Sequence, residues 1–320
     1  MPRFIACLLA LLLAAAPGQA APLSATEILT QFNAVVAGTF TSHHDVEGRL
    51  VAGTIHGGGS TLYIKPNAAS GASPFAAVNV VNITGSGRIN VNNGGNVNFA
   101  GGLPADAGSR FNLNGGHFVS QSPGFTISDF TAPLDALQAQ LSGMTATSAI
   151  TGTDPNLMKL TVVPGSDGIA VFTIAATDLA RLNNISFVGE TAADTIIINV
   201  TGGSYTQPGG QNFNGSEWLN RHVIWNFADA TSLSLKFWHG AILAGKAAVT
   251  NSSPLEGFLY ANSFSGGGEL HDFPFAGTLV SAPPPGAVPE PGSALILALG
   301  LMGLAATLRR RARQPAAALA

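Results

Sequence analysis

The chain runs to 320 residues, of which 10% are charged, and 14 Lys and Arg against 17 Asp and Glu leave a formal charge of −3. Between Pro22 and Ala287 the count is nine basic against sixteen acidic residues, or −7, which argues against nucleic acid and other polyanions as partners because both need a basic surface. Thirty-nine glycines among abundant Asn, Ser and Thr, with regularly spaced Val, Ile, Leu and Phe, point to an extracellular β-protein with many turns rather than to disorder.

Arg3, the apolar run Phe4 to Ala16 and the small residues of Gly18-Gln19-Ala20 read as a secretory signal peptide over 1–20. It implies the Sec translocon as a partner and cleavage after Ala20 or Ala21. Cys7, the single cysteine, lies inside that signal. The mature chain therefore offers no disulfide, thiolate nucleophile or cysteine metal site, and a lipoprotein attachment does not fit.

One β-rich ectodomain is expected over 21–281. Leu23 to Val36 begins as a helix, with Ser24 and Glu27 spaced as a capping box and Ile28, Leu29 and Phe32 on one face. Asn33 to Thr41 then reads as a strand, and Arg49 to Gly53 as another. From Phe75 to Phe99, apolar residues alternate with Gly and Asn, the pattern of short strands and tight turns. Asn90 to Asn98 is read as stacked turns, not as an Asn ladder or a calcium repeat. Thr131 to Gly143 predicts a second helix, with Pro133 in its first turn and Leu134, Leu137 and Leu141 on one face.

Strands return at Lys159 to Val163, Ile169 to Ile174 and Thr195 to Val200, with one helical turn at Asp178 to Leu182. His222 to Phe227 places Val223, Trp225 and Phe227 on one face, and Leu233, Leu235 and Phe237 form another strand. Gly240 to Gly245, Gly257 to Asn262 and Gly48 to Gly53 share a Gly-x-apolar-apolar-Ala pattern, and Ala276 to Val280 follows as a further rung. A period near 20 residues with one short strand per repeat predicts a mainly β fold, a right-handed β-solenoid (a discontinuous β-helix) with one or two flanking helices. The copy near the N-terminus predicts that both ends of the domain add rungs to one solenoid. A β-sandwich with evenly spaced strands is the alternative.

No nucleophile elbow, His-Glu-x-x-His zinc motif or phosphate loop occurs. His43, Asp45 and Glu47 could share a strand face as metal ligands, and nothing in the sequence ties the distant His56 to them, but a solvated turn is the plainer reading and no cofactor is expected. Glu269 and His271 would share a face, with Asp272 opposite, and could support acid–base work; a structural hydrogen-bonding role is favoured. Tyr63, Tyr205, Trp218, Trp238 and Tyr260 are candidates to stack on sugar rings, but core or edge packing is the favoured reading for them, and Trp225 alternates with core residues.

The C-terminal end is the most specific stretch. A Pro-rich spacer over 282–288 precedes Val288-Pro289-Glu290-Pro291. The apolar run Gly292 to Leu308 follows, and at about 1.5 Å per residue it spans about 25 Å, near the short limit for a membrane helix. Arg309, Arg310, Arg311 and Arg313 form a basic stop that holds that end in the cytoplasm, and 314–320 is a short tail. Over 289–313 this three-part order resembles the PEP-CTERM sorting signal, which implies an exosortase as processing partner, transient residence in the inner membrane of a Gram-negative bacterium and delivery to the surface or extracellular matrix.

Phe32-Asn-Ala-Val-Val-Ala-Gly-Thr-Phe40, Asp45-Val-Glu-Gly-Arg-Leu-Val-Ala-Gly53, Val223-Ile-Trp-Asn-Phe227, Gly240-Ala-Ile-Leu-Ala244 and Gly268-Glu-Leu-His-Asp-Phe-Pro-Phe275 together resemble the choice-of-anchor A domain of bacterial surfaces, over roughly residues 28 to 279. The C-terminal rungs also resemble bacterial ice-binding solenoids. These resemblances imply the fold type and a surface role, with no binding residue carried over; some relatives of the domain are linked with collagen binding. The expected function is a structural or adhesive surface protein that binds polysaccharide or matrix protein. A carbohydrate-active enzyme is the main alternative, and it would need a carboxylate groove. Ice binding would need a regular Thr or Ala array, whereas Thr is scattered along this sequence.

Overall fold

Parallel pairing between the two ends of the chain organises the molecule. The computed structural model describes residues 23–68 and 73–279; the expected signal peptide, the spacer, the sorting motif, the membrane run and the basic stop lie outside the described residues. Strand Ala34–Ser42 pairs in parallel with Leu50–His56 on one side and with Leu259–Gly266 on the other, Ala34 facing both Leu50 and Leu259. From this centre Val78–Thr84, Val97–Phe99 and Phe118–Ser120 extend the sheet in one direction. Helix Ser128–Ser142 follows in the sequence. The chain then re-enters at the opposite edge with Ile169–Ala175 and returns through Thr195–Thr201, Val223–Asn226 and Ala241–Asn251 to Leu259–Gly266.

A second face carries the short strands Thr61–Leu62, Ile89–Val91 and Phe111–Leu113 from the first half of the chain, and Trp238–His239, Leu255–Glu256 and Leu270–His271 from the second. Val46 joins the two groups by bridging to Leu62 and to Leu270. Short strands stacked in register on successive faces make a mainly β, solenoid-like fold, and both ends of the domain contribute rungs to it. The β-sandwich alternative is corrected, because every ladder of the 12-stranded sheet is parallel. The hairpin-connected sheets of a sandwich run antiparallel. Ala149–Thr151 with Lys159–Thr161 is an antiparallel pair on a smaller sheet.

Side chains alternate across a strand, so the sheet feeds two cores. Phe40, Val223, Trp225, Ile242 and Phe264 point into the solenoid. Val35, Val51, Val171, Ile197, Ile224 and Leu243 point outward and are covered by Ile28 and Phe32 near the first helix and by Phe130, Leu134, Leu137 and Leu141 of Ser128–Ser142. Burial on both faces explains why these strands read as unbroken apolar runs.

The first helix, Ala25–Gln31, forms the expected capping box between Ser24 and Glu27. The second begins earlier than expected, so Pro133 lies inside Ser128–Ser142 rather than in its first turn. Asn90 to Asn98 keeps a stacked turn at Asn93-Gly94, where Gly94 N–H donates to the Asn114 carbonyl one rung away, but its flanks are not turns. It contributes two strands, and Asn112 and Asn114 donate side-chain hydrogen bonds to Asn90 (3.0 Å) and Asn92 (2.5 Å) one rung away. Ala276 to Val280 is not a rung: residues 276–279 form no strand, and the Thr278 carbonyl accepts from Thr195 Oγ1. Phe237 does not share the buried face of Leu233 and Leu235; it is 37% exposed.

A buried amide network ties the long helix to the sheet. Asn226 donates to Asn199 Oδ1 at 2.8 Å and accepts from Gln138 Nε2 at 3.1 Å, while Gln138 Oε1 accepts from Gly245 N–H. Asn226→Ala is expected to cost about 2–3 kcal/mol in urea unfolding, since it strands buried partners. A cost below about 0.5 kcal/mol would show that water replaces the amide.

Candidate functional site

Each central strand of the large sheet has two halves. Register shifts between Val36 and Thr39, between Val36 and Phe40 and between Ala244 and Ala248 mark the break. The first half faces the helices. In the second half the inward residues Tyr205, Leu233, Val249, Phe264, Phe40, Ile55 and Ile83 stay buried, and the residues on either side of them point away from the core.

Those outward residues line up into columns. Thr206 pairs with Ser234, Ser234 with Thr250 and Thr250 with Ser265. The column continues across the junction of the two chain halves, Ser265 to Thr41, Thr41 to His56 and His56 to Thr84. Two residues earlier along the strands, Ser204, Ser232, Ala248 and Ser263 form a second column, matched beyond the junction by Thr39, Thr54 and Asn82. At about 4.8 Å per rung, seven rungs span about 29 Å. Ser and Thr that are scattered in the sequence are therefore collected into mixed hydroxyl columns, which differ from the uniform Thr or Ala array that ice binding would need.

No carboxylate, Lys or Arg occupies either column. Within the long column Thr250 Oγ1 lies 3.4 Å from the Leu233 carbonyl and His56 Nδ1 lies 3.1 Å from Thr84 Oγ1. The hydroxyls of Thr206, Ser234, Ser265 and Thr41 form no hydrogen bond with any described residue. They remain open to an outside partner.

The second concentration of polar groups lies where the chain halves meet on the other face. Glu47, Glu256, Glu269, His271 and Asp272 come together here, so the two ionisable motifs singled out in the sequence are neighbours. His271 Nδ1 lies 2.9 Å from Glu256 Oε1 and its Nε2 2.7 Å from Glu269 Oε2. Hydrogen bonds from Glu256 first, and also from Glu269, push the His271 pKa up to about 9. Glu47 Oε2 accepts from Asp272 N–H, and Asp272 Oδ2 accepts from Asn67 N–H. Burial pushes the Asp272 carboxyl up to about 6. Asn33 adds a buried clasp, accepting from Gly48 N–H and donating to the carbonyls of Gly257 and His271. The pairing of residues some 200 positions apart makes this a lock on the junction.

His271 has its folded pKa above the ordinary value of about 6.5. Its stabilisation is complete below pH 6.5 and disappears as pH rises through about 9. The shift corresponds to about 3 kcal/mol at most, and to about 2 after allowing for the 44% exposure of the Glu269 side chain. Unfolding measured across this window should show that alkaline loss in the native chain and a flat profile in His271→Gln. A matching slope in the variant would assign the loss to another group.

The candidate metal ligands do not converge. His43 Nδ1 bonds to the Gly58 carbonyl at 2.7 Å, Glu47 is engaged as above with Lys65 3.7 Å away, and His56 faces Thr84. Among the described residues no group of three His, Cys, Asp or Glu side chains could hold a metal ion.

The aromatic candidates divide. Trp238, Tyr260 and Tyr205 are buried at 0%, 2% and 3% exposure, which follows the favoured core reading and removes them as sugar-stacking candidates. Trp238 packs edge-on against Trp225 and Phe213, Tyr205 hydrogen-bonds Gln211, and Tyr260 donates to Asp135 at 2.7 Å. Trp218 is half-buried and stacks on His222 at 4.4 Å, and Tyr63 lies half-buried beneath Arg49. These two keep partial access.

The family described as "Putative Ice-binding-like adhesive domain" matches residues 25–272, which takes in both chain halves and their junction. The chain belongs to this ice-binding-like adhesive family. A PEP-CTERM protein-sorting motif matches residues 287–311. No curated protein and no solved structure gives a significant match. An ice-binding-like adhesive domain followed by a sorting signal makes this an exported surface protein of adhesive type, whose tail implies processing by an exosortase. In the adhesive domain the hydroxyl columns are a regular surface, and the sequence carried their signal only as single Ser and Thr residues flanking buried apolar positions.

Proposed function

We propose that this protein is a non-enzymatic structural or adhesive component of the extracellular matrix of a Gram-negative bacterium, related to choice-of-anchor A proteins. The observation that carries the reading is the joining, in one chain, of an adhesive-type domain over 25–272 to a sorting signal over 287–311. The signal peptide over 1–20 starts export, and the apolar run after Pro289-Glu290-Pro291 holds the chain in the inner membrane until cleavage. The solenoid winds right-handed, as parallel crossover connections overwhelmingly do. Polar groups concentrated at the junction are engaged in holding the two halves together, which favours a scaffold over a hydrolase.

Fractionation of the host tests this reading. The protein should be found on the surface or in the matrix, shortened at its C-terminus, and purified protein should release no sugar from the host polymer. Sugar release that is lost in Glu269→Gln and Glu256→Gln variants would establish the enzyme instead.

A further inference from the structure

We propose that the hydroxyl columns are a binding face for an uncharged, extended polysaccharide lying along the solenoid axis. The inference rests on the adhesive reading above and adds the site and the class of ligand. Three features lead to it.

The groups are chemically matched to sugars. Hydroxyls donate and accept at once, and those of Thr206, Ser234, Ser265 and Thr41 have no partner among the described residues. A polymer of hydroxylated rings can satisfy both roles at each rung. Asn82 and His56 at one end of the face extend the same capacity with longer side chains.

The charge balance selects the ligand. The columns hold no ionised carboxylate or ammonium group, and the chain between Pro22 and Ala287 carries −7. A polyanion would meet no cation on the face and net repulsion around it. A neutral polymer pays neither cost.

The repeat supplies affinity that no single site could. One exposed hydroxyl contact is weak, at about 1 kcal/mol, and the face offers no aromatic platform. Contacts repeated at about 4.8 Å over seven rungs engage one chain many times, and linked weak contacts multiply. The columns cross the junction between Ser265 and Thr41, so the face is complete only when the two chain halves have closed.

Ser, Asn and His interrupt any uniform Thr or Ala rank, so hydrogen-bonding capacity, rather than a repeated methyl, is the common property of these positions. This favours a sugar polymer over an ice surface. The test is co-sedimentation of the full-length chain with microcrystalline cellulose, chitin and an insoluble α-glucan, alongside a polygalacturonate gel and growing ice.

Binding to at least one neutral polymer, unchanged at high salt, is expected. Thr206→Glu/Ser265→Glu, three rungs apart on the long column, should weaken it at least about tenfold with the melting temperature unchanged. Leu103→Glu/Leu157→Glu, which adds the same charge at exposed positions off the face, should bind like the native chain. Equal binding by both variants, capture by the acidic gel alone, capture by ice alone, or no capture at all would overturn the proposal. None of those results would alter where the protein is found on the cell, so the face and the matrix assignment fail separately.

Discussion

Replacing Pro289, Glu290 and Pro291 with alanine should leave export intact and strand the protein in the inner membrane. On the proposed reading, translocation needs only the N-terminal signal, and retention only the apolar run Gly292 to Leu308 and its four arginines. Release needs recognition of the motif that the PEP-CTERM match covers. Membrane and surface fractions probed with one antibody decide the matter. The variant should be full-length and membrane-bound, while the native protein should be shortened and at the surface. A variant that reaches the surface in normal amount would sink the exosortase assignment. A variant missing from both fractions would have been degraded before sorting, which a pulse-chase of total protein would reveal.

Trp238→Ala should cost about 3–5 kcal/mol of stability. The indole is fully buried and packs on Trp225 at 4.8 Å between ring centres, on Phe213 at 5.2 Å and on Tyr205 at 5.7 Å. Removing it opens a cavity in the middle of the aromatic cluster, and its neighbours cannot close over it without breaking strand register. Urea unfolding with an unchanged slope and a lowered midpoint is the expected result. If Trp238 were a sugar platform, the substitution would leave the midpoint near its native value and abolish binding. Its burial predicts the reverse order of effects, loss of fold first and of binding only through the fold. Trp218→Ala, at a half-buried position stacked on His222, should cost much less, about 1 kcal/mol.

Much of this was open to reading from the residues. The Ser24 to Glu27 capping box acts within one turn, so four residues specify it. The repeated Gly-x-apolar-apolar-Ala segments announced stacked rungs because each rung must bury the same pair of positions. Their recurrence near both ends of the domain announced the closure of Ala34–Ser42 on Leu259–Gly266. The sorting tail was legible for the same reason, since motif, apolar run and basic stop act in linear order.

What escaped was whatever depends on lateral neighbours. Trp238 and Tyr260 stayed open as sugar-stacking candidates beside the core reading because local sequence does not say which face of a short strand is covered. His43, Asp45 and Glu47 read as a solvated turn and Glu269 to Asp272 as a hydrogen-bonding motif, each taken by itself. Only folding showed that Glu47 reaches the Asp272 backbone and that both motifs serve one junction. The hydroxyl face is the clearest case. Thr206 and Thr84 are far apart in sequence and belong to one column because parallel pairing carries register from strand to strand.

The sequence by itself determined the β character, the rung repeat, the capped first helix and the address at the C-terminus, all of which are encoded by residues close together in the chain. The tertiary structure alone decided which polar residues meet, which aromatics are buried and which surface is regular. Those properties arise from contacts between strands, and register between strands is a consequence of the whole fold.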